Sequence, residues 1–145
     1  MIELKNVSKD NIEEVLNLSV KECQKAFVSS TAYSLSQAYV YRETAFPFAV
    51  YVGDTIVGFI MMGYYEVKKQ YTLWKILIDK SYQNKGFGRE ALKKGIQYMI
   101  DKFHAEEIYT GVVLGNEQAK HLYISVGFKE TGLVEDNIVE MKYIC

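Results

Sequence analysis

The sequence is sparing with the residues that would tie a protein to an oxidising compartment, a membrane or a nucleic acid. Cys23 and Cys145 are its only cysteines, too few for a disulfide framework, so a reduced, cytoplasmic protein is expected. No uncharged apolar run approaches the ~20 residues needed to cross a bilayer. The opening stretch, MIELKNVSKD, holds no apolar core of a secretory signal. Seventeen basic residues against eighteen acidic ones leave a formal charge of −1, so no basic field recommends nucleic acid or anionic lipid as a partner. His104 and His121 stand too isolated to suggest a metal site. Repeats, low-complexity tracts and linkers are absent.

What remains is ordinary for a globular domain: 145 residues, 49% apolar and 24% charged, enough to bury a real core. The compositional excess is twelve tyrosines, which could line a cleft or pack a core. Ile2-Glu3-Leu4-Lys5 alternates as a half-buried strand does. Ser8 or Asp10 can cap a helix carrying Ile12, Val15, Leu16, Ser19 and Cys23 on one face, and Asp10 with Glu13 makes a capping-box-like pair. Phe27 to Tyr33 reads as a connection. A second helix starts at Ser34 and ends before Pro47, which restricts the residue preceding it. Phe48–Val52 and Thr55–Tyr65, joined by Gly53-Asp54, read as an antiparallel hairpin. Ile108–Val113 is a further strand, Asn116 opens a helix that Gly127 stops, and Phe128–Val134 with Ile138–Ile144 closes the chain as a hairpin. The expectation is an α/β (α+β) fold: one domain over residues 1–145, with a mixed, mostly antiparallel sheet flanked by helices.

The centre of the chain is Tyr71–Arg89, YTLWKILIDKSYQNKGFGR. Leu73, Trp74, Ile76, Leu77 and Ile78 leave almost no polar face, as in a strand buried on both sides. A glycine-containing turn, Gln83-Asn84-Lys85-Gly86-Phe87-Gly88, follows. A helical pattern through Leu92, Ile96, Met99, Ile100 and Phe103 completes the unit. Strand, glycine turn and helix is the order in which backbone N–H groups converge on phosphate at a helix N-terminus. A Walker A loop would need Lys-Ser/Thr where Arg89-Glu90 stand. A dinucleotide fingerprint would have Ala91 as its last small residue, and would lie unusually deep in the chain.

The third reading is a resemblance. Gln83-Asn84-Lys85-Gly86-Phe87-Gly88 matches the Gln/Arg-x-x-Gly-x-Gly/Ala loop of the GNAT N-acetyltransferases. Asn116-x-x-Ala119-x-x-Leu122-Tyr123-x-x-x-Gly127-Phe128 resembles a second motif of that superfamily, one helix and one strand downstream. The resemblance covers essentially the whole chain. Its central segment, with Val20-Lys21-Glu22-x-Gln24-x-x-Phe27-Val28 and Gly58-Phe59-Ile60-Met61, looks closest to bacterial spermine/spermidine acetyltransferases.

The resemblance implies acetyl-coenzyme A as donor and no metal. The backbone of Ile76, Leu77 and Ile78 would pair with the pantetheine arm. Gln83, Asn84, Lys85, Gly86, Phe87, Gly88 and Arg89 would form the pyrophosphate site, with Lys85 and Arg89 adding positive charge. Asn116 would hold the pantetheine by its amide, although a helix cap alone accounts for it. Tyr123 would be the general acid that protonates the leaving thiolate, and a backbone N–H near Ile78 would face the developing oxyanion. The base is not evident, because Thr110-Gly111-Val112 has no carboxylate where some relatives place a glutamate. Glu22, Glu43, Glu66 and Asp79 are candidates. On the acceptor side Glu22, Tyr33, Tyr41, Glu43, Tyr64, Glu66 and Trp74 offer carboxylates and aromatic faces for a polycation.

The expected activity is therefore acetyl transfer to a primary amine, foremost a polyamine. The alternatives are another small amine or a protein amine, or a coenzyme A-binding sensor without turnover. The expected partner is a small-molecule amine, with no nucleic acid and no membrane, and a homodimer is allowed.

Overall fold

The computed structural model describes residues 1–145 as one seven-stranded sheet between two layers of helix. The strands run β1 (Ile2–Asn6), β2 (Ala45–Val52), β3 (Thr55–Tyr65), β4 (Gln70–Ile78), β5 (Glu107–Val113), β6 (Lys129–Glu135) and β7 (Ile138–Ile144), in the spatial order β1-β2-β3-β4-β5-β7-β6. Every neighbouring pair is antiparallel except β4 and β5. The helices are α1 (Ile12–Leu16), α2 (Thr31–Val40), α3 (Phe87–Phe103) and α4 (Glu117–Val126). This is the mixed, mostly antiparallel α/β domain that the pattern predicts.

The period-2 alternation of β3 explains the layering. Ile60 and Met62 join Ala91, Leu92, Ile96 and Met99 of α3 and Tyr123 of α4 in one core cluster. Phe59 and Met61 point to the other face, where they meet Val15 of α1 and Ala38 of α2. Burying a side chain such as Leu92 contributes about 1.5–3 kcal/mol, so these two clusters hold the helices to the sheet.

Three local expectations are corrected. First, α1 stops at Leu16, so Ser19 and Cys23 do not continue its face; Cys23 sits in a separate 3-10 turn, Glu22–Gln24. The helix has no side-chain cap from Ser8 or Asp10: Asn11 is its N-cap, and the Asn11 Oδ1 accepts from Ser8 N–H at 2.8 Å. Second, α2 begins at Thr31 rather than Ser34, because the Ser30 hydroxyl caps it by accepting from Tyr33 N–H at 3.1 Å. Third, β2 extends back through Pro47. The missing N–H is tolerated there because β1 ends its pairing at Asn6 opposite Phe48.

The correction that matters most concerns β4. Only Leu73 and Leu77 among its apolar residues are fully buried, while Trp74, Ile76 and Ile78 are half-exposed. β4 and β5 share a single register pair, Thr72 with Tyr109, and then splay apart. A bulge opposite Met61 and Met62 adds Trp74 as an extra residue, bending the strand as bulges beside binding sites often do. The apolar run is thus a wall of an open cleft rather than a strand covered on both faces.

Gly63 makes room for the indole of Trp74: a Cβ at Gly63 would lie 2.6 Å from Trp74 Cε2 and 2.8 Å from Cδ2. Gly63→Ala should therefore cost about 1–3 kcal/mol, the usual range for overpacking, and move the ring. Chemical denaturation and the fluorescence of the one tryptophan check this together. Unchanged stability with an unshifted emission maximum would show that the ring is not held against Gly63.

Candidate active site

Antiparallel strands turn their polar backbone groups alternately to either neighbour. Asp79 N–H donates to Val57 O at 2.8 Å, so Leu77 likewise faces β3. The backbone groups of Ile76 and Ile78 face the other way, into the splay. There Gln83 Nε2 donates to Ile78 O at 2.9 Å. A strand edge left open inside the molecule is a pairing surface for an extended ligand.

At the end of β4 the chain enters the glycine turn. Asn84 and Gly86 both have positive φ, 63° and 83°, and Gly86 is the N-cap of α3. The first amide of this helix with a partner in the chain is Glu90, bonded to Gly86 O at 3.1 Å. The N–H groups of Phe87, Gly88 and Arg89 precede it without acceptors. Before Gly86 lies open space, since a Cβ there meets nothing within 4 Å. Lys85 and Arg89 take part in none of the ion pairs. Arg89 Nη2 donates to Ser125 O at 3.3 Å. Free amides, a helix N-terminus and cations outside any ion pair fit a diphosphate. Gly88 is different in kind: a Cβ there would touch Ile78 and Leu122 at 3.5 and 3.6 Å, ordinary contact that alanine would accept.

These elements border a cavity of about 410 Å³, lined along β4 by Ile76, Leu77 and Ile78, at the turn by Gln83, Asn84, Gly86, Phe87, Gly88 and Arg89, and on α4 by Asn116 and Tyr123. Lys85 is exposed beside the turn. Asn116 caps α4, its Oδ1 accepting from Ala119 N–H at 3.3 Å. A glutamine cluster spans the cavity: Gln24 Nε2 donates to Gln118 Oε1 at 2.6 Å and to Gln83 Oε1 at 3.1 Å. Tyr123 is 7% exposed and packs on Phe128, ring centroids 5.7 Å apart. Burial pushes its phenol up to about 12, and a side-chain hydrogen bond with Thr110 offsets part of that rise.

A second cavity of about 740 Å³ lies on the other side of the splay. It shares Trp74, Lys75, Gly111 and Ile138 with the first. Tyr41, Tyr64, Glu66 and Trp74 line it, with Gln37, Tyr65, Lys68, Tyr109, Glu135 and Glu140. Tyr41 meets Trp74 edge-on at 5.9 Å. Lys68 Nζ lies 3.6 Å from Glu140 and 3.8 Å from Glu135, an ammonium resting between carboxylates. Lys75 borders both cavities, donates to Ser29 Oγ at 3.1 Å, and is pushed below the ordinary lysine range by partial burial.

Not every residue singled out from the sequence reaches this cavity. Glu22 points to solvent, its side chain 88% exposed and paired with Lys25 at 2.8 Å. Glu43 borders neither cavity, and Tyr33 touches the region only through Lys75, whose ammonium is 5.7 Å above its ring. Asp79 is engaged in structure: its Oδ1 accepts from Ser81 N–H at 2.9 Å and its Oδ2 from Ser19 N–H at 3.0 Å. Conversely, Glu135 and Glu140 went unread. The signal for Glu140 was the alternation of the closing hairpin, which places Ile138 and Glu140 on the face opposite buried Val139 and Met141.

Comparison with known proteins agrees with this geometry. The model of the acetyltransferase (GNAT) family matches residues 12–128. The chain is 33% identical over 144 residues to a protein of Bacillus subtilis subsp. natto (strain BEST195) described as "Probable spermine N(1)-acetyltransferase", covering 94% of this chain and 93% of that one. It is 32% identical, with the same coverage, to the spermine/spermidine N(1)-acetyltransferase of Bacillus subtilis (strain 168). The fold matches the crystal structure of spermidine N-acetyltransferase from Vibrio cholerae in complex with CoA and spermine, with a TM-score of 0.79, 20% identity, and coverage of 99% of this chain and 95% of that one. A splayed parallel pair, a glycine turn opening α3 and a buried tyrosine on α4 thus occur in a chain that belongs to the acetyltransferase (GNAT) family, the acetyl-coenzyme A-dependent N-acetyltransferases.

Proposed function

We propose that the protein moves an acetyl group from acetyl-coenzyme A, held in the smaller cavity, to a primary amine of a polyamine entering through the larger one. The observation that carries this reading is the meeting of the two cavities at Trp74, Lys75, Gly111 and Ile138. A thioester lying along β4 and an amine approaching from the other side would come together at that window. Two bacterial relatives named for spermine or spermidine support the acceptor class.

The residues divide the work as the chemistry requires. The amides and cations from Asn84 to Arg89 hold the diphosphate. The backbone of Ile76 and Ile78 that faces the splay, where Gln83 Nε2 bonds Ile78 O alone, aligns the pantetheine arm as an added strand, and the Ile78 N–H stands where a carbonyl oxygen gains charge. Asn116 keeps its Nδ2 free for the same arm, since only its Oδ1 is used in capping. Tyr123 gives its proton to the departing sulfur. With its phenol raised to about 12, it stays protonated through the physiological range and is present as the acid at every turnover. In the larger cavity Glu66, Glu135 and Glu140 attract ammonium groups, and Tyr41, Tyr64, Trp74 and Tyr109 offer ring faces.

Tyr123→Phe should lower kcat by about 10–10⁴-fold, allowing for partial replacement by water, while coenzyme A affinity measured by titration stays within about twofold. In the wild type kcat should show no descending limb from this phenol below about pH 10, because its proton is retained until about 12. A kcat unchanged by the substitution, with chemistry shown to limit the rate, would return Tyr123 to the core.

Glu66→Gln should raise KM for spermine several-fold more than KM for a short monoamine, and the difference should shrink as salt screens the site over about 10 Å at 0.1 M. Glu22→Gln is the matched control: its exposed carboxylate lies outside both cavities and its loss should leave both constants unchanged. Equal efficiency with monoamines and polyamines, undisturbed by Glu66→Gln, would remove the polyamine reading and leave the acetyltransferase intact.

A further inference from the structure

An alkyl amine is protonated at neutral pH and must lose a proton before it can attack a thioester. Of the four carboxylates that the sequence offers for this task, Glu22 and Glu43 lie outside both cavities, Asp79 is engaged by two backbone amides, and Glu66 lines the larger cavity but is exposed in the turn between β3 and β4, away from the shared window. Glu140 is better placed than any of them. On β7 it stands directly opposite Gly111 of β5, the residue at the window between the cavities. Directly opposed residues of an antiparallel pair share a face; Gly111 has no side chain of its own, and the Ile138 Cγ2 methyl, 2.6 Å from where a Cβ would stand, packs over it beside Glu140.

The face is also the right one. Val139 and Met141 are buried in the cluster shared with α3 and α4, as is Tyr123, so Glu140 projects from the opposite side of the sheet. Its side chain is 18% exposed. One carboxylate oxygen is fixed, Oε1 accepting from Thr131 Oγ1 at 2.8 Å. The other faces the Lys68 ammonium at 3.6 Å, longer than a hydrogen bond. A carboxylate steadied on one side, with a loosely held ammonium on the other, is arranged to receive a second ammonium.

We propose that Glu140 is the base that takes the proton from the reacting ammonium, working from the face opposite Tyr123. This rests on reading the larger cavity as the acceptor pocket. The ammonium gives one proton to Glu140, and the freed amine attacks the carbonyl carbon. As the C–N bond forms and the C–S bond breaks, Tyr123 protonates the sulfur. The nitrogen then sheds its second surplus proton, which restores the phenol, and Glu140 returns its own to solvent. One proton is released per turnover, as the overall reaction requires. The charged and titratable groups around Glu140 are Lys68 in the β3–β4 turn, Tyr109 on β5, Glu135 on β6 and Lys142 on its own strand, with Glu66 and, at the window, Lys75 of β4 in the same cavity.

Glu140→Gln keeps size and an oxygen for Thr131 while removing the basic site. At neutral pH kcat/KM should fall by about 10²–10⁴-fold for every amine the enzyme accepts. The deficit should close as pH approaches the amine's own pKa, about 10, where the free base is supplied by solution. Glu140→Asp should recover part of the rate, and unchanged coenzyme A binding would show that both variants are folded. A neutral-pH rate within a few-fold of wild type overturns the proposal, as does a deficit equal at pH 7 and pH 10. A loss confined to KM for polyamines would likewise make Glu140 a distal anchor rather than the base. Should polyamines fail as substrates while another amine is acetylated, the acceptor reading fails, and the pH comparison on that amine still decides Glu140.

Discussion

Backbone amides and carbonyls kept from water need partners, and where β4 departs from β5 it turns the groups of Ile76 and the Ile78 N–H toward the cleft without a strand to meet them. Each unpaired group kept from water costs on the order of 1–3 kcal/mol, so the cleft is stable only because it stays open to solvent or is filled by a ligand that completes the ladder. The rest of the molecule maintains that condition. The Trp74 bulge bends the strand away, α3 begins at its end with free amides, and α4 brings Tyr123 against the gap from one face. The glutamines at positions 24, 83 and 118 bridge the cleft with side-chain bonds, the kind of contact a longer ligand can replace.

The splay also explains how one window serves two substrates. In the arrangement proposed above the acid and the base act from different faces of the sheet: Tyr123 lies in the cluster with α3, and Glu140 projects from the other side. Lys68, 40% exposed, lies 3.8 Å from Glu135 and 3.6 Å from Glu140, so these carboxylates already face an ammonium at the cavity. Lys75 at the window is a cation with no carboxylate partner. Partial burial pushes its ammonium below the ordinary lysine range.

Much of this was legible in the sequence, for reasons that differ by element. The glycine turn could be read because positive φ at Gly86 and a bare approach to phosphate leave few alternatives to glycine. Asn116 and Gly127 mark the ends of α4 through local backbone chemistry, and the hairpins follow from alternation and turns. The depth of β4 could not be read, because a strand that walls a ligand cleft has the same apolar composition as one sealed in a core. The face of α1 was overextended because Ile12, Val15, Leu16, Ser19 and Cys23 keep helical spacing past the point where the helix ends. The acceptor side was the least legible. Glu140 and Gly111 meet through strand pairing across a long separation in sequence, and only the register of β5 against β7 brings them together. Glu22 was read as a cavity residue from its neighbourhood in the chain, yet Lys25 holds it at the surface.

The central claim is that the open edge of β4 and the turn after it receive coenzyme A. Amide hydrogen exchange of the wild-type protein, followed residue by residue with and without coenzyme A, tests this most directly. Binding should slow exchange at Asn84 through Arg89 and at Ile76 and Ile78, while Leu77, already paired with β3, changes little. Protection confined to the larger cavity, or none along residues 76–89 at saturating coenzyme A, would contradict the account.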